Sequence, residues 1–253
     1  AGPMSWHGGY LVIGIAQALI TAILVCSLPL WKRSAGEKDA GESTAGSTAG
    51  NTAAGDSDKK PGYGALLRPP GAGAVIASFG CYSALESSCG LWIASLLVLA
   101  RGVGEAQAAS MVALFYLGIT AGRFLAGVVA DRVAGPQMIR IGQSVIAVGL
   151  ATLVAGGGDT AALSVAIALI GLGCAPIYPS IVALTPSRFG EAASQGMVSL
   201  QMACAYAGST FFPPVCALVV GAGGAALLPW LYVAVLVAMF VLSELANRRC
   251  RAE

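Results

Sequence analysis

Charge is the scarcest commodity in this chain. Its 253 residues carry 14 Lys+Arg and 12 Asp+Glu, and only 10% of positions are charged. Soluble domains carry about 25%. Histidine is almost absent: His7 is the single example, at the outer end of the first apolar run, and it is given no role. The four lysines, 32, 38, 59 and 60, lie in or beside one polar stretch, so no late span offers a Schiff-base lysine for a retinal-type photoreceptor. The seven cysteines show no metal-ligand spacing, and most sit inside apolar runs, where a thiol is a small reduced packing group. There is no phosphate-binding glycine loop and no nucleophile elbow. The apolar runs carry one carboxylate near a span centre and no second catalytic group, which argues against an enzyme. No cofactor and no metal are expected.

Apolar residues are abundant instead, at 57%. Runs of about 20 residues recur, each long enough to cross a bilayer. A polytopic, all-α membrane protein follows. The first span is Trp6 to Trp31, bracketed by tryptophans and stopped by Lys32-Arg33. A signal peptide is the alternative, but no basic segment precedes it and its apolar run exceeds the usual core of about 7–15 residues. Beginning at Ala1, the chain is expected to be a processed or truncated product.

Residues 5–32 are therefore expected to form one transmembrane helix and residues 33–70 a disordered cytoplasmic linker. The linker is Gly, Ala, Ser and Thr with scattered charge, including the near-repeat Ser43-Thr44-Ala45-Gly46-Ser47-Thr48-Ala49-Gly50. Such a segment buries too little apolar surface to offset its ordering entropy. Residues 71–247 are expected to form a six-helix bundle, with 248–253 as a tail. Its spans fall near Gly71–Ala100, Gln107–Ala130, Gln137–Ala155, Thr160–Leu184, Ser194–Val220 and Ala226–Asn247. Of the 14 basic residues, only Arg101 falls on the far side and Arg123 within a span; the rest share one side. The positive-inside rule then places the N-terminus outside and the C-terminus in the cytoplasm, in a plasma (inner) membrane.

One stretch organises the bundle. Gly118, Gly122 and Gly127 space small residues along a helix, so a neighbour can approach closely. Arg123 lies inside this apolar run, and Asp131-Arg132 close it. An intramembrane arginine needs the headgroup zone or a carboxylate. Asp131 is eight positions on, about 12 Å of rise, so a partner on another helix or at the turn is expected. The pattern Gly118-x3-Gly122-Arg123-Phe124-x2-Gly127-x3-Asp131-Arg132-x2-Gly135 resembles the cytoplasmic-loop signature of the major facilitator superfamily. Pro136-Gln137 stand where that family often has two basic residues, which weakens the loop's charge contacts.

More narrowly, four stretches resemble fucose-permease-like members: Trp6-His7-Gly8-Gly9-Tyr10, Leu85-Glu86-x3-Gly90-Leu91-Trp92, Gly173-x-Ala175-Pro176-Ile177-Tyr178-Pro179-Ser180, and Gly208-Ser209-x3-Pro213-Pro214. The resemblance implies the last helix of an N-terminal half, the central loop and a whole C-terminal half. It also implies a companion N-terminal half-bundle that is missing here.

Glu86 is the sharpest candidate for chemistry. A mid-span carboxylate is costly, so it should face a watery cavity or a partner. Ser78, Tyr82, Glu86 and Gly90 recur every four positions and share one helix face. Glu86 then reads as a substrate hydrogen-bonder or proton site; the structural alternative is an acid paired with a cation on the missing half. Gln195, Ser199, Met202, Tyr206, Ser209 and Pro213 form a stripe on a later helix, with Gln201 beside it. Amides and phenols suit hydroxyl-rich ligands, although helix–helix hydrogen bonds would use the same groups. Gly171-x-Gly173 with Pro176 and Pro179 should interrupt its helix, and Tyr178 is the side chain placed there. Pro213-Pro214 should break the next span in the same way. Trp92 lies off the Glu86–Gly90 line and is assigned to lipid or a neighbouring helix, and Gln143 is a lone amide in its span.

These features give one leading expectation. The chain is part of a secondary active transporter, moving a small polar solute such as a sugar by alternating access, with proton coupling. Solute, protons and lipid are its expected partners, and nucleic acid is not. The alternatives are a non-transporting membrane scaffold or a receptor-like seven-helix protein.

Overall fold

The computed structural model describes residues 63–250 except position 131, together with positions 15, 17–19, 21 and 22. The latter six positions are helical and exposed, and the Thr21 hydroxyl donates to the Gln17 carbonyl at 2.8 Å. They fall within the expected first span; the rest of that span, most of the linker and Asp131 lie outside the described residues.

The bundle consists of α1 (Tyr63–Leu66), α2 (Ala72–Arg101), α3 (Glu105–Val129), α4 (Gly135–Ala155), α5 (Thr160–Cys174), α6 (Ile177–Ala183), α7 (Thr185–Phe189), α8 (Glu191–Gly223), a 3-10 turn (Ala225–Leu227) and α9 (Leu228–Arg249). No strand occurs among the described residues. Six helices are long and apolar enough to cross a membrane, the fourth being α5 and α6 taken together. All six begin and end within a few residues of the positions expected from hydropathy. The chain is an all-α membrane protein.

Residues 63–66, before the expected boundary at residue 71, are helical. Leu66 of α1 is 3% exposed and packs with Ala72 and Met197 in a small cluster of its own. One apolar side chain within reach of α8 is enough to fix that turn. Pro69 and Pro70 then reset the chain direction, and Gly71, at φ 89°, opens α2.

The helices are sewn together by small residues. A Cβ added at Gly118 of α3 would fall 2.5 Å from the Ala168 carbonyl oxygen, and one at Gly122 would fall 2.5 Å from the Ala175 Cβ. On α4, a Cβ at Gly142 would meet the Gly173 carbonyl oxygen at 2.6 Å. So α5 lies against the backbones of α3 and α4 at once. Gly127, expected to serve the same close packing, has nothing within 4 Å of such a Cβ. It sits on an open face.

Polar bonds tie the helix ends. Arg101 donates to the Leu153 carbonyl at 2.7 Å, satisfying a terminal acceptor of α4 that has no partner within its own helix. At the opposite end, Arg140 of α4 and Glu244 of α9 form a two-pronged pair at 2.6 and 2.9 Å. The Arg188 guanidinium of α7 donates to the Asn247 side-chain oxygen of α9.

The expected interruption is present in one span and absent in the other. The fourth span breaks at Ala175–Pro176, between α5 and α6. By contrast, α8 runs unbroken through Pro213 and Pro214. Two adjacent prolines remove two adjacent donors, and the flanking turns of a 33-residue helix hold the axis on either side.

Candidate functional site

Glu86 lies midway along α2, and Arg123 lies in the last third of α3. An Arg123 guanidinium nitrogen stands 4.0 Å from Glu86 Oε1, with the side chains 59% and 26% exposed. The acid sought for Arg123 is therefore on a neighbouring helix of the same bundle. The contact is long for a charge-assisted hydrogen bond, which runs about 2.7–2.9 Å. Each partner keeps open surface, and the guanidinium has donors to spare.

Tyr82, one turn before Glu86, is 1% exposed. Its hydroxyl makes no hydrogen bond of regular geometry and lies beside the Glu86 carboxylate. Its ring stacks on Phe79 at 6.1 Å. Ser78 is buried as well. The shared face of α2 expected to border water is thus inside the bundle at Ser78 and Tyr82, and it opens at Glu86 and Gly90. Ser78 faces Ile139 of α4, Ile181 of α6 and Ser243 of α9, and Tyr82 lies near Cys174 of α5.

The break between α5 and α6 places Tyr178. Its ring centroid lies 5.2 Å from that of Phe79, and its hydroxyl contacts Met202 Sδ at 3.6 Å. It remains 38% exposed. A thioether is a weak acceptor, so the phenol is free to exchange that contact for a better one. A groove of about 790 Å³ runs alongside, lined by Arg123 and Gly127 of α3, Gly135 and Met138 of α4, and Tyr178 and Ser180 of α6.

The amides divide. Gln195 and Tyr206 are exposed on α8, the least buried of the six spans. Gln201, on the same helix, is fully buried and exchanges hydrogen bonds with Thr185, its amide nitrogen donating at 3.1 Å. Gln143 is 3% exposed and donates to the Ser243 hydroxyl at 3.2 Å. Gln143 and Gln201 therefore serve helix–helix contacts and lie away from the Glu86–Arg123 face. Trp92 packs, partly buried, against the core.

Within the loop motif, Gly118 and Gly122 seat α5, Gly127 lines the groove, and Arg132 is exposed in the turn after α3. Asp131 lies outside the described residues. Sequence reasoning named Arg123 only as part of that motif and did not pair it with Glu86. One signal was available: two opposite charges, each alone inside an apolar span, are expected to seek each other. Tyr178 and Met202 stood out separately, but their meeting with Phe79 left no trace, because Phe79 is an apolar residue in an apolar span.

Among solved structures, 25 chains match. One is the POT family transporter PepTSo, determined in meso, with a TM-score of 0.60 and 21% identity. The match covers 70% of this chain and 37% of that one, so the chain spans little more than a third of that transporter's length. At this identity the likeness concerns the fold. Among curated proteins no relative matches. The profile of the Major Facilitator Superfamily matches residues 86–248, well over half of the chain and including Glu86, Arg123 and Tyr178, and the chain belongs to that superfamily.

Proposed function

We propose that this chain forms the C-terminal half-bundle of a secondary transporter, preceded by one further span, and that the intact carrier moves a small polar solute by alternating access with proton coupling at Glu86. The observation that carries this reading is the Glu86–Arg123 pair, loose at 4.0 Å and open to solvent on both members. A guanidinium stays charged at any physiological pH, whereas a carboxylate can take a proton. Protonating Glu86 releases Arg123, and deprotonating it restores the pair. A proton taken up on one side of the membrane and released on the other would couple that exchange to movement of the two halves.

Tyr178, Gln195 and Tyr206 supply uncharged donors and acceptors on open surface, which suits a hydroxylated solute such as a sugar. The arginine-rich ends of the bundle are assigned to the cytoplasm of a plasma (inner) membrane, with the N-terminus outside. The loop from Gly127 to Arg132 is assigned to stabilising one of the two states.

The test is solute uptake by the protein carrying both half-bundles, comparing Glu86→Gln with the parent across pH. Loss of the pH dependence, with solute exchange at equal proton activity retained, is expected. Uptake and pH profile both unchanged would remove Glu86 from the mechanism.

A further inference from the structure

A second groove, of about 380 Å³, opens at the end of the bundle where α2 begins and α9 finishes. Arg68 reaches it from the turn before α2, and Arg249 from the last residue of α9. Both are exposed, and neither has an acidic partner among the described residues. Of the other described arginines, Arg101 is engaged on a helix end, Arg123 on Glu86, Arg140 on Glu244 and Arg188 on Asn247, while Arg132 and Arg248 are exposed and do not line this groove. Two uncompensated guanidinium groups thus converge on one concavity.

The walls beneath them are apolar. Leu242 and Leu245 of α9 line the groove one to two turns deeper into the span than Arg249, and Leu67 closes it from the other side. The floor is fixed: the Ala72 N–H donates to the Pro69 carbonyl at 3.2 Å, and Cys250 Sγ contacts the Pro70 carbonyl at 3.6 Å. From the water boundary inward the groove therefore presents cations, then leucines. A soluble anion would use only the first layer. An anionic phospholipid uses both, with its phosphate at the arginines and its acyl chain along α9.

We infer that this groove is a binding site for one anionic phospholipid, with Arg68 and Arg249 holding its phosphate. Arg248 provides an internal control, since it is exposed and adjacent in sequence but does not line the groove.

The experiment uses the purified full chain in detergent, titrated with phosphatidylglycerol or phosphatidylcholine and read by native mass spectrometry. One phosphatidylglycerol is expected to be retained per chain in preference to phosphatidylcholine. Each of Arg68→Gln and Arg249→Gln should weaken retention about fivefold, and the pair about 30-fold. Arg248→Gln should leave it unchanged, and so should excess inorganic phosphate. Helicity by circular dichroism checks that the variants are folded. Equal retention of the two lipids, an Arg248→Gln loss matching either groove variant, or displacement by inorganic phosphate would each overturn the assignment. The last outcome would mark a site for a soluble anion.

Discussion

Gln143 and Glu86 are both polar side chains inside apolar spans, and the fold treats them in opposite ways. Gln143 is sealed between α4 and α9 on Ser243, whereas Glu86 keeps open surface beside Arg123. A buried interhelical hydrogen bond is worth about 0.6 kcal/mol. Gln143→Leu is therefore expected to lower the melting temperature in detergent only slightly and to leave uptake by the intact carrier unchanged. The ion pair should behave differently. Arg123→Gln leaves a carboxylate without its cation, and a second change, Glu86→Gln, should recover part of the loss. A double-mutant cycle on the melting temperature is expected to show coupling of about 0.2–0.5 kcal/mol, the low end for such pairs because both members are partly solvated. Strict additivity would dissolve the pair. At this scale the sequence was half legible. It marked Glu86, Arg123, Gln143 and Gln201 as unusual, because polar groups stand out against an apolar background. It could not separate sealed from open ones: every face of a membrane helix is apolar, so periodicity alone does not say which face meets protein.

At the scale of the helices, lengths and order were legible from hydropathy, since a bilayer of fixed thickness sets the length of each rod. Packing was legible only at Gly118 and Gly122, where a side chain would strike α5. Gly118→Val is expected to cost about 1–3 kcal/mol through overpacking and to reduce the folded yield, measured by melting temperature and size-exclusion profile. Gly127→Ala, with open space around it, should change neither. Prolines misled in one case and informed in the other. Pro176 sits where the fourth span breaks, whereas Pro213 and Pro214 lie inside a continuous α8. Pro176→Ala is expected to lengthen α5 into α6, draw Tyr178 away from Phe79 and reduce uptake by the intact carrier. Unaltered uptake would separate the break from the site.

For the whole molecule, the aligned transporter is much longer than this chain, of which the match covers 70% while taking in 37% of its partner. The groove lined by Arg123 and Tyr178 is open to the surroundings. The 253-residue chain alone, reconstituted into sealed vesicles, is expected to give no solute uptake above protein-free vesicles, and adding the companion half-bundle should restore it. Uptake by the chain alone would refute the half-carrier reading. Family membership was legible because the loop motif lies in a contiguous stretch of sequence. The site was less so, since Glu86 meets Arg123, and Phe79 meets Tyr178, only where separate helices come together.

The seams around α5 carry one more implication. Where backbones touch through glycine there is no flexible side chain to act as a cushion, so α3, α4 and α5 have no room to slide past one another. They should travel as a single block. Gly80 and Gly208 seat α2 against α8 in the same way, a Cβ at Gly208 falling 2.4 Å from the Gly80 carbonyl oxygen, so flexing is left to the break at Ala175–Pro176, and amide exchange should be slowest along these seams and fastest at that break.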